Sequence, residues 1–266
     1  MGQIKNLRET EIEQLSFFIK EETGIDIHSY REDFIKRRFL PRSQLLGFKD
    51  FGDYIEFLRK DNKEKKIAKR KIFIPTTEFF RNREVFEKVE EIISKECQNR
   101  DFINVVSSPC STGEEAFSLA MILSKAEKQF NVFAIDGNLL VLKNLKRRHF
   151  TKKNLSPLYK SEIKRYFIEE GNMFFLKEEI LSRVFPFQAD LTENFPIKNC
   201  DIVFMRNFFI YLKEKTFLRC VKNIEKSLRE GGLLVLGKVE RIDFDKSFWE
   251  ALDLQMKIFR FKGGKK

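Results

Sequence analysis

Hydrophobic and polar positions alternate in two different ways along this chain. Over the first seventy or so residues the apolar positions recur at helical spacing. Thr10-Glu-Ile-Glu13 reads as a capping box that opens a helix. Ile12, Leu15, Phe18 and Ile19 give that helix one apolar face, and Gly24 ends it. A second helix is predicted over Tyr30–Leu46, closed by Gly47, with a kink or break at Pro41. A third covers Phe51–Leu58, and the lysine-rich stretch Asn62–Lys71 is either a fourth helix or a linker. Nothing in this region reads as a strand.

After about residue 100 the pattern changes to short apolar runs alternating with amphipathic stretches. Phe102–Ser107, Asn131–Ile135, Asp201–Phe204 and Leu233–Gly237 are predicted strands, with Lys257–Phe261 a further candidate. Helical patterns fall between them: Ala116, Leu119, Ala120 and Leu123; then Leu139–Arg148; then Phe217, Leu218, Val221, Ile224 and Leu228, stopped by Gly231-Gly232. This alternation predicts a parallel α/β sheet. Residues 172–188 break the rhythm, and Met173–Leu176 with Val184–Phe187 are expected to pair as a small antiparallel hairpin. The tail 263–266 is expected to be disordered.

Composition adds bounds. With 266 residues, 42% of them hydrophobic, the chain suits a catalytic domain with a smaller appendage. No apolar run approaches the ~20 residues of a membrane span. The opening Met1-Gly-Gln-Ile-Lys-Asn6 has no signal-peptide core, so a cytoplasmic location without membrane insertion is expected. Cysteines 97, 110, 200 and 220 form no Cys-x-x-Cys pair. With only His28 and His149 beside them, no zinc spacing exists, and no metal is expected. The net charge is +11, and residues 28–71 supply +7 of it, with 14 Lys and Arg against 7 Asp and Glu. That excess suits an acidic partner (nucleic acid, anionic lipid or protein), although on charge alone a solvated helical surface is the simpler reading.

The densest chemistry follows the first predicted strand. The turn Ser108-Pro-Cys-Ser-Thr-Gly-Glu-Glu115 leads into a helix, and Ser111-x-x-Glu114 reads as a capping box. Gly113 allows the backbone to approach a ligand closely. The turn is neither G-x-G-x-x-G nor a P-loop, and Glu114 and Glu115 would repel phosphate. They suit a cationic ligand instead, such as S-adenosylmethionine (AdoMet) with its sulfonium and ammonium. Glu114 reads as a helix cap and Glu115 as a ligand contact. Asp136 closes the second predicted strand, where a carboxylate can accept both hydroxyls of a ribose; a solvated loop acid is the alternative.

Together these residues resemble the CheR-type chemoreceptor glutamate methyltransferases over nearly the whole chain. The resemblance is carried by Thr76-Thr-Glu-Phe-Phe-Arg81, Cys110-Ser-Thr-Gly-Glu-Glu-Ala-Phe-Ser-Leu-Ala120, Ala134-Ile-Asp136 and Phe204-Met-Arg-Asn-Phe-Phe-Ile-Tyr211, with Gly231-Gly-Leu-Leu-Val-Leu-Gly237 as a fifth segment. It implies an all-helical N-terminal receptor-docking domain with linker (1–71), then a Rossmann-like α/β AdoMet-binding methyltransferase domain (72–262) with a small inserted antiparallel β-subdomain (172–188). It implies cofactor contacts at Thr77, Arg81, Glu115, Asp136, Asp190, Leu191, Arg206 and Asn207. Arg81 and Tyr211 fall beside the reacting methyl group, although Tyr211 reads equally well as a half-buried core residue. Lys36, Arg37, Arg38 and Arg42 form the receptor-docking face.

The implied reaction moves a methyl group from AdoMet to glutamate side chains in the cytoplasmic helical domain of chemoreceptors, leaving S-adenosylhomocysteine (AdoHcy). The glutamate is already ionised at neutral pH, so no general base is required, and positioning and desolvation carry the catalysis. A monomer is expected, independent of a receptor tether peptide and of nucleic acid. The sequence departs from the family pattern at Pro41, Pro75, Pro109, Asp190 and Lys238-Val239. Two alternatives follow: a nucleic-acid methyltransferase, or a catalytically weakened AdoMet-binding protein that interacts with receptors.

Overall fold

The computed structural model describes residues 7–72, 77–96, 100, 102–145, 149–193, 195–240, 242 and 244–264. Four helices come first: α1 (Glu9–Thr23), α2 (Glu32–Leu45), α3 (Phe51–Lys60) and α4 (Asn62–Ile72). The lysine-rich stretch is thus a helix. Its Glu64, Ala68 and Ile72 are buried at a spacing that turns them to one side. The box that opens α1 lies two residues earlier than expected. Glu11, not Glu13, accepts the backbone N–H of Arg8 at 2.6 Å. Pro41 neither ends nor splits α2. It sits exposed, where water can replace the N–H it withholds from the preceding turn, while Phe34, Ile35 and Phe39 bury the helix on its other side.

The rest of the chain runs α5 (Arg83–Glu96), β1 (Phe102–Ser107), α6 (Glu114–Lys125), β2 (Gln129–Asp136), α7 (Leu139–Leu145), β3 (His149–Thr151), α8 (Lys160–Tyr166), β4 (Phe167–Glu170), β5 (Met173–Leu176), α9 (Glu178–Leu181), β6 (Val184–Gln188), β7 (Cys200–Met205), α10 (Glu214–Glu225), β8 (Leu228–Leu236), β9 (Trp249–Asp253) and β10 (Ile258–Phe261). Seven strands form the main sheet in the order β6-β2-β1-β7-β8-β10-β9. The first five are parallel, and β10 and β9 close the edge antiparallel. Every residue of β7 is buried, as expected of a central strand covered on both faces. From β1 the chain steps outward to β2 and β6, then returns to β7 on the other side. The switch point, where such sheets bind ligands, is therefore the carboxyl end of β1 and β7.

The expected hairpin does not form. β6 pairs parallel with β2 as the edge of the main sheet, where Pro186 can be tolerated. The small sheet is β3-β5-β4, all antiparallel. Its hairpin is β4–β5, joined by Gly171-Asn172 with Gly171 at φ +60°. A two-residue Gly-Asn loop between apolar strands is itself a hairpin signal. The double glycine does not stop a helix either. α10 ends at Glu225, and Gly231-Gly232 lies inside β8, where the register against β7 shifts between Cys200 and Ile202. Leu228, which continues the helical apolar face by spacing alone, is the first residue of that strand.

One core joins α5, α6 and the small sheet to one face of the main sheet. The other joins α1–α4 and α10 to the opposite face. The helical region therefore shares a core with the sheet. Its backbone also touches the α/β region: Tyr30 bridges Leu212, Arg31 N–H donates to the Tyr211 carbonyl at 2.8 Å, and Lys213 N–H to the Ser29 carbonyl at 3.0 Å.

Candidate functional site

The loops that leave the strands at the switch point enclose a cavity of about 280 Å³. Thr77, Arg81, Glu115, Asp136, Asp190, Leu191, Arg206, Asn207 and Tyr211 all line it.

The turn after β1 is pinned at both sides. Ser108 N–H donates to the Phe204 carbonyl of β7 at 2.9 Å, and Cys110 N–H to the Ile135 carbonyl of β2 at 2.8 Å. Gly113 then has φ +98°, and a Cβ there would meet Leu145 Cδ2 at 1.8 Å, so only glycine fits. Gly113 is the residue at the helix start, and the Ser111–Glu114 box does not form. Ser111 N–H is turned instead to the Asp136 carboxylate at 2.9 Å, and Glu114 accepts from the Thr112 hydroxyl at 2.6 Å.

Asp136 is 6% exposed and also accepts the Asn138 N–H at 2.9 Å. Burial raises its pKa above the usual carboxylate value, and the backbone donors of Asn138, Ser111 and Gly137 work against that shift. The Ser111 N–H lies on one oxygen and the Asn138 N–H on the other, and a carboxylate has capacity to accept further hydrogen bonds from a ribose. Glu115 receives the Ser107 hydroxyl at 2.8 Å on one oxygen and Arg206 Nη1 at 3.1 Å on the other. Arg206 is 5% exposed. Its Nη2 donates to the Arg81 carbonyl at 2.8 Å and to Asn82 Oδ1 at 2.7 Å, and its Nε is buried with no partner among the described residues. Arg206 is therefore both an ion-pair partner of Glu115 and a residue of the cavity wall.

Arg206 thereby fixes the segment that carries Arg81. Phe80 (φ 50°) and Asn82 (φ 61°) take left-handed conformations on either side of it. Such strain persists only where surrounding contacts determine it. Here they include the Ser118 hydroxyl, which accepts Phe80 N–H at 2.9 Å. Tyr211 is half-buried, its ring 5.0 Å from that of Phe34. Asp190 holds the N–H and hydroxyl of Thr192 on one oxygen and, at 3.4 Å, the Asp26 N–H on the other.

Sequence reasoning missed three contributors. Glu240 is 1% exposed and gathers the N–H groups of Phe208 (2.9 Å), Phe209 (2.8 Å) and Gly237 (2.6 Å), tying the loop 206–211 to the end of β8. Burial raises its pKa. Asn82 orients Arg206. Ile25, Tyr30, Phe34 and Ile72 of the helical region form a wall of the cavity.

The docking residues divide. Arg37 is exposed, Arg38 lies over the Phe34 ring at 5.3 Å, and Lys36 pairs with Glu32 at 3.2 Å. Arg42 turns inward. Its Nε and Nη2 bind Glu64 at 2.9 and 2.6 Å, and Tyr54 donates to the same carboxylate at 3.0 Å. His28 and His149 are exposed. Cys110, Cys200 and Cys220 are buried free thiols; burial pushes Cys200 and Cys220 up to about 12. Cys97, Pro75, Thr76 and residues 265–266 of the tail lie outside the described residues.

Two family models cover most of the chain. The CheR methyltransferase SAM-binding domain matches residues 75–258, and the CheR methyltransferase all-alpha domain matches residues 10–69. The chain belongs to the CheR methyltransferase family. It is an AdoMet-dependent methyltransferase of the chemotaxis type. Chemotaxis protein methyltransferases of Listeria innocua (27% identical, 84% of this chain and 87% of theirs) and Borreliella burgdorferi (26%, 91% and 92%) are similar to it over nearly their whole length. So is that of Campylobacter jejuni (26%, 88% and 89%). Among solved structures, a DhpI–SAH complex covers 97% of this chain and 82% of its own at 13% identity, with a TM-score of 0.39, a likeness too loose to carry an argument.

The CheR cavity fits AdoMet on its own chemistry. It offers carboxylates for an ammonium, a sulfonium and a ribose diol, and an arginine for the amino-acid carboxylate. Aliphatic walls suit the rest of the molecule. Among the described residues no group of His, Cys, Asp and Glu could hold a metal ion, and no helix is long and apolar enough to cross a membrane.

Proposed function

We propose that this methyltransferase esterifies glutamate side chains in the helical cytoplasmic domain of chemoreceptors, and that it does so in the cytoplasm. One observation carries the reading: every acid that lines the cavity is held in place by hydrogen bonds from the protein. Glu115 is held by Ser107 and Arg206, Asp136 by Ser111 and Asn138, and Asp190 by Thr192 and Asp26. No histidine, lysine or cysteine lines the cavity among the described residues. Such a site suits a nucleophile that arrives ionised, as a glutamate does at neutral pH.

AdoMet supplies an electrophilic methyl carbon: the carboxylate oxygen bonds to it, the sulfur keeps the electron pair, and AdoHcy leaves with no proton moved. The chain's residues position and desolvate. Asp136 accepts the ribose hydroxyls, with Leu191 and Asp190 beside the adenosine. Glu115 faces the positive end, steadied by Arg206; Thr77 and Asn207 complete the contacts. Arg81 binds a carboxylate, either the cofactor's or the incoming glutamate's, and Tyr211 orients the glutamate. Phe34 and Phe208 keep water from the reacting atoms, which strengthens each charge interaction.

Residues 1–71 act as the docking domain and 72–262 as the catalytic domain. Lys36, Arg37 and Arg38 of α2 meet the acidic receptor helix; Arg42 supports the domain from within. The β4–β5 connection, only Gly171-Asn172, favours independence from a tether peptide. The test is peptide mapping by mass spectrometry of a receptor cytoplasmic domain incubated with AdoMet and the enzyme. A methyl group on glutamates of the receptor helices supports the reading. Methyl groups only on other side chains, or only on added nucleic acid, overturn it.

A further inference from the structure

Tyr30 belongs to the helical region yet reaches the cofactor cavity. It follows the turn Ile27–Ser29 and precedes α2, and its backbone bridges Leu212. Its ring stacks on Phe34 (5.2 Å, 25°) and meets Phe208 edge-on at 6.4 Å, so the ring is locked between the two regions. The side chain lines the cavity, and the residue is only 9% exposed. Among the described residues the hydroxyl has no hydrogen-bond partner, and unlike Arg206 Nε it is not sealed in the protein but opens to the cavity, where a ligand can meet it. Asp190 and Asp136 are its charged neighbours across the cavity. Burial, reinforced by those two carboxylates, pushes the phenol above its ordinary pKa, so it remains a donor at neutral pH. Neither carboxylate accepts from the phenol: Asp136 holds the Ser111 and Asn138 N–H groups, and Asp190 holds Thr192 and the Asp26 N–H.

We propose that Tyr30 is a cofactor-binding residue supplied by the helical region, its hydroxyl donating to the adenosine end of AdoMet. This rests on the assignment of Asp136 to the ribose. Ile25 and Ile72 line the cavity with it, so the region proposed to dock the receptor also completes the nucleoside pocket. The ligand chemistry expected at Tyr30 is a neutral acceptor, a ribose oxygen or an adenine ring nitrogen.

The test is calorimetry on the full chain and on Tyr30→Phe, with AdoHcy and with 5′-methylthioadenosine, alongside thermal unfolding without ligand. Losing one neutral hydrogen bond should weaken AdoHcy binding about five- to tenfold. 5′-Methylthioadenosine should lose affinity by the same factor, because it keeps the adenosine and lacks the amino-acid end. The unliganded melting temperature should not fall, since the phenol gives up no partner within the protein. AdoHcy affinity unchanged in Tyr30→Phe overturns the proposal while leaving the Asp136 assignment standing. So does a marked loss of unliganded stability, which would reveal a partner inside the protein. A native chain that binds AdoHcy but not 5′-methylthioadenosine overturns both.

Discussion

The helical and α/β regions meet at one cavity but contribute to it in different ways. In the α/β region most of the cavity's polar residues follow strand ends: Glu115 after β1, Asp136 at the end of β2, Asp190 after β6, and Arg206 and Asn207 after β7; Thr77 and Arg81 come from the segment before α5, which Arg206 holds against those ends. Parallel topology brings those ends together whatever the loops contain. In the helical region Ile25, Tyr30, Phe34 and Ile72 come from two loop edges and two helices, and they meet only because α1–α4 share a core with the sheet. One region places chemistry by topology, the other by packing. A change in the first should damage catalysis with the fold intact, whereas in the second it should move stability, docking or cofactor affinity.

Arg81→Ala is the sharpest way to test the first half. Methyl transfer should fall at least about a hundredfold, the scale of misplacing a reactant, with near-native circular dichroism. Near-normal turnover would remove Arg81 from the mechanism.

For the second half, Arg42→Ala should cost about 3 kcal/mol of stability in urea unfolding, because it leaves Glu64, 2% exposed, without its cation. Charge reversal at Arg37 and Arg38 should leave stability nearly unchanged and weaken receptor binding several-fold at low salt, with the difference shrinking as salt is added. If Arg42→Ala lost receptor affinity at unchanged stability, the division within α2 would be wrong.

A smaller effect separates the regions by pH. Asp136 must be ionised to accept the ribose hydroxyls, and burial raises its pKa in the unliganded protein. AdoHcy affinity should therefore begin to fall, as pH decreases, above the ordinary aspartate value of ~3.9. Asp136→Asn should be weaker and lack that fall. The ionised carboxylate costs the unliganded fold stability, and this cost is relieved as pH drops through the raised value. Glu64 has the opposite sign. Hydrogen bonding from Arg42 lowers its pKa, so its contribution is present above the ordinary glutamate value and lost as pH falls through the depressed one. Calorimetric titrations and urea unfolding across that range measure the two separately.

Much of the α/β region was legible because its signals are local. Phe102–Ser107 is a strand with the bounds its β-branched run predicts, and Gly113 stands where only glycine fits. Misreadings arose where two local signals compete. Gly231-Gly232 can stop a helix or ease a strand through a register shift, and Leu228 fits either pattern. The Gly171-Asn172 loop is a tight hairpin signal, and it pairs β5 with β4 where the apolar runs alone suggest β6. Tyr30, Glu240 and the inward turn of Arg42 have no local signature. Glu240 matters because it collects three backbone N–H groups from two strand ends, and Arg42 because Glu64, 22 residues later, comes to lie beside it.

The most direct test is to incubate the enzyme with AdoMet carrying a labelled methyl group and receptor-containing membranes from the same organism, then treat the product with mild alkali. Label on the receptor that is released as methanol is the predicted result. Label that resists alkali, or that is found on nucleic acid and not on the receptor, would contradict it.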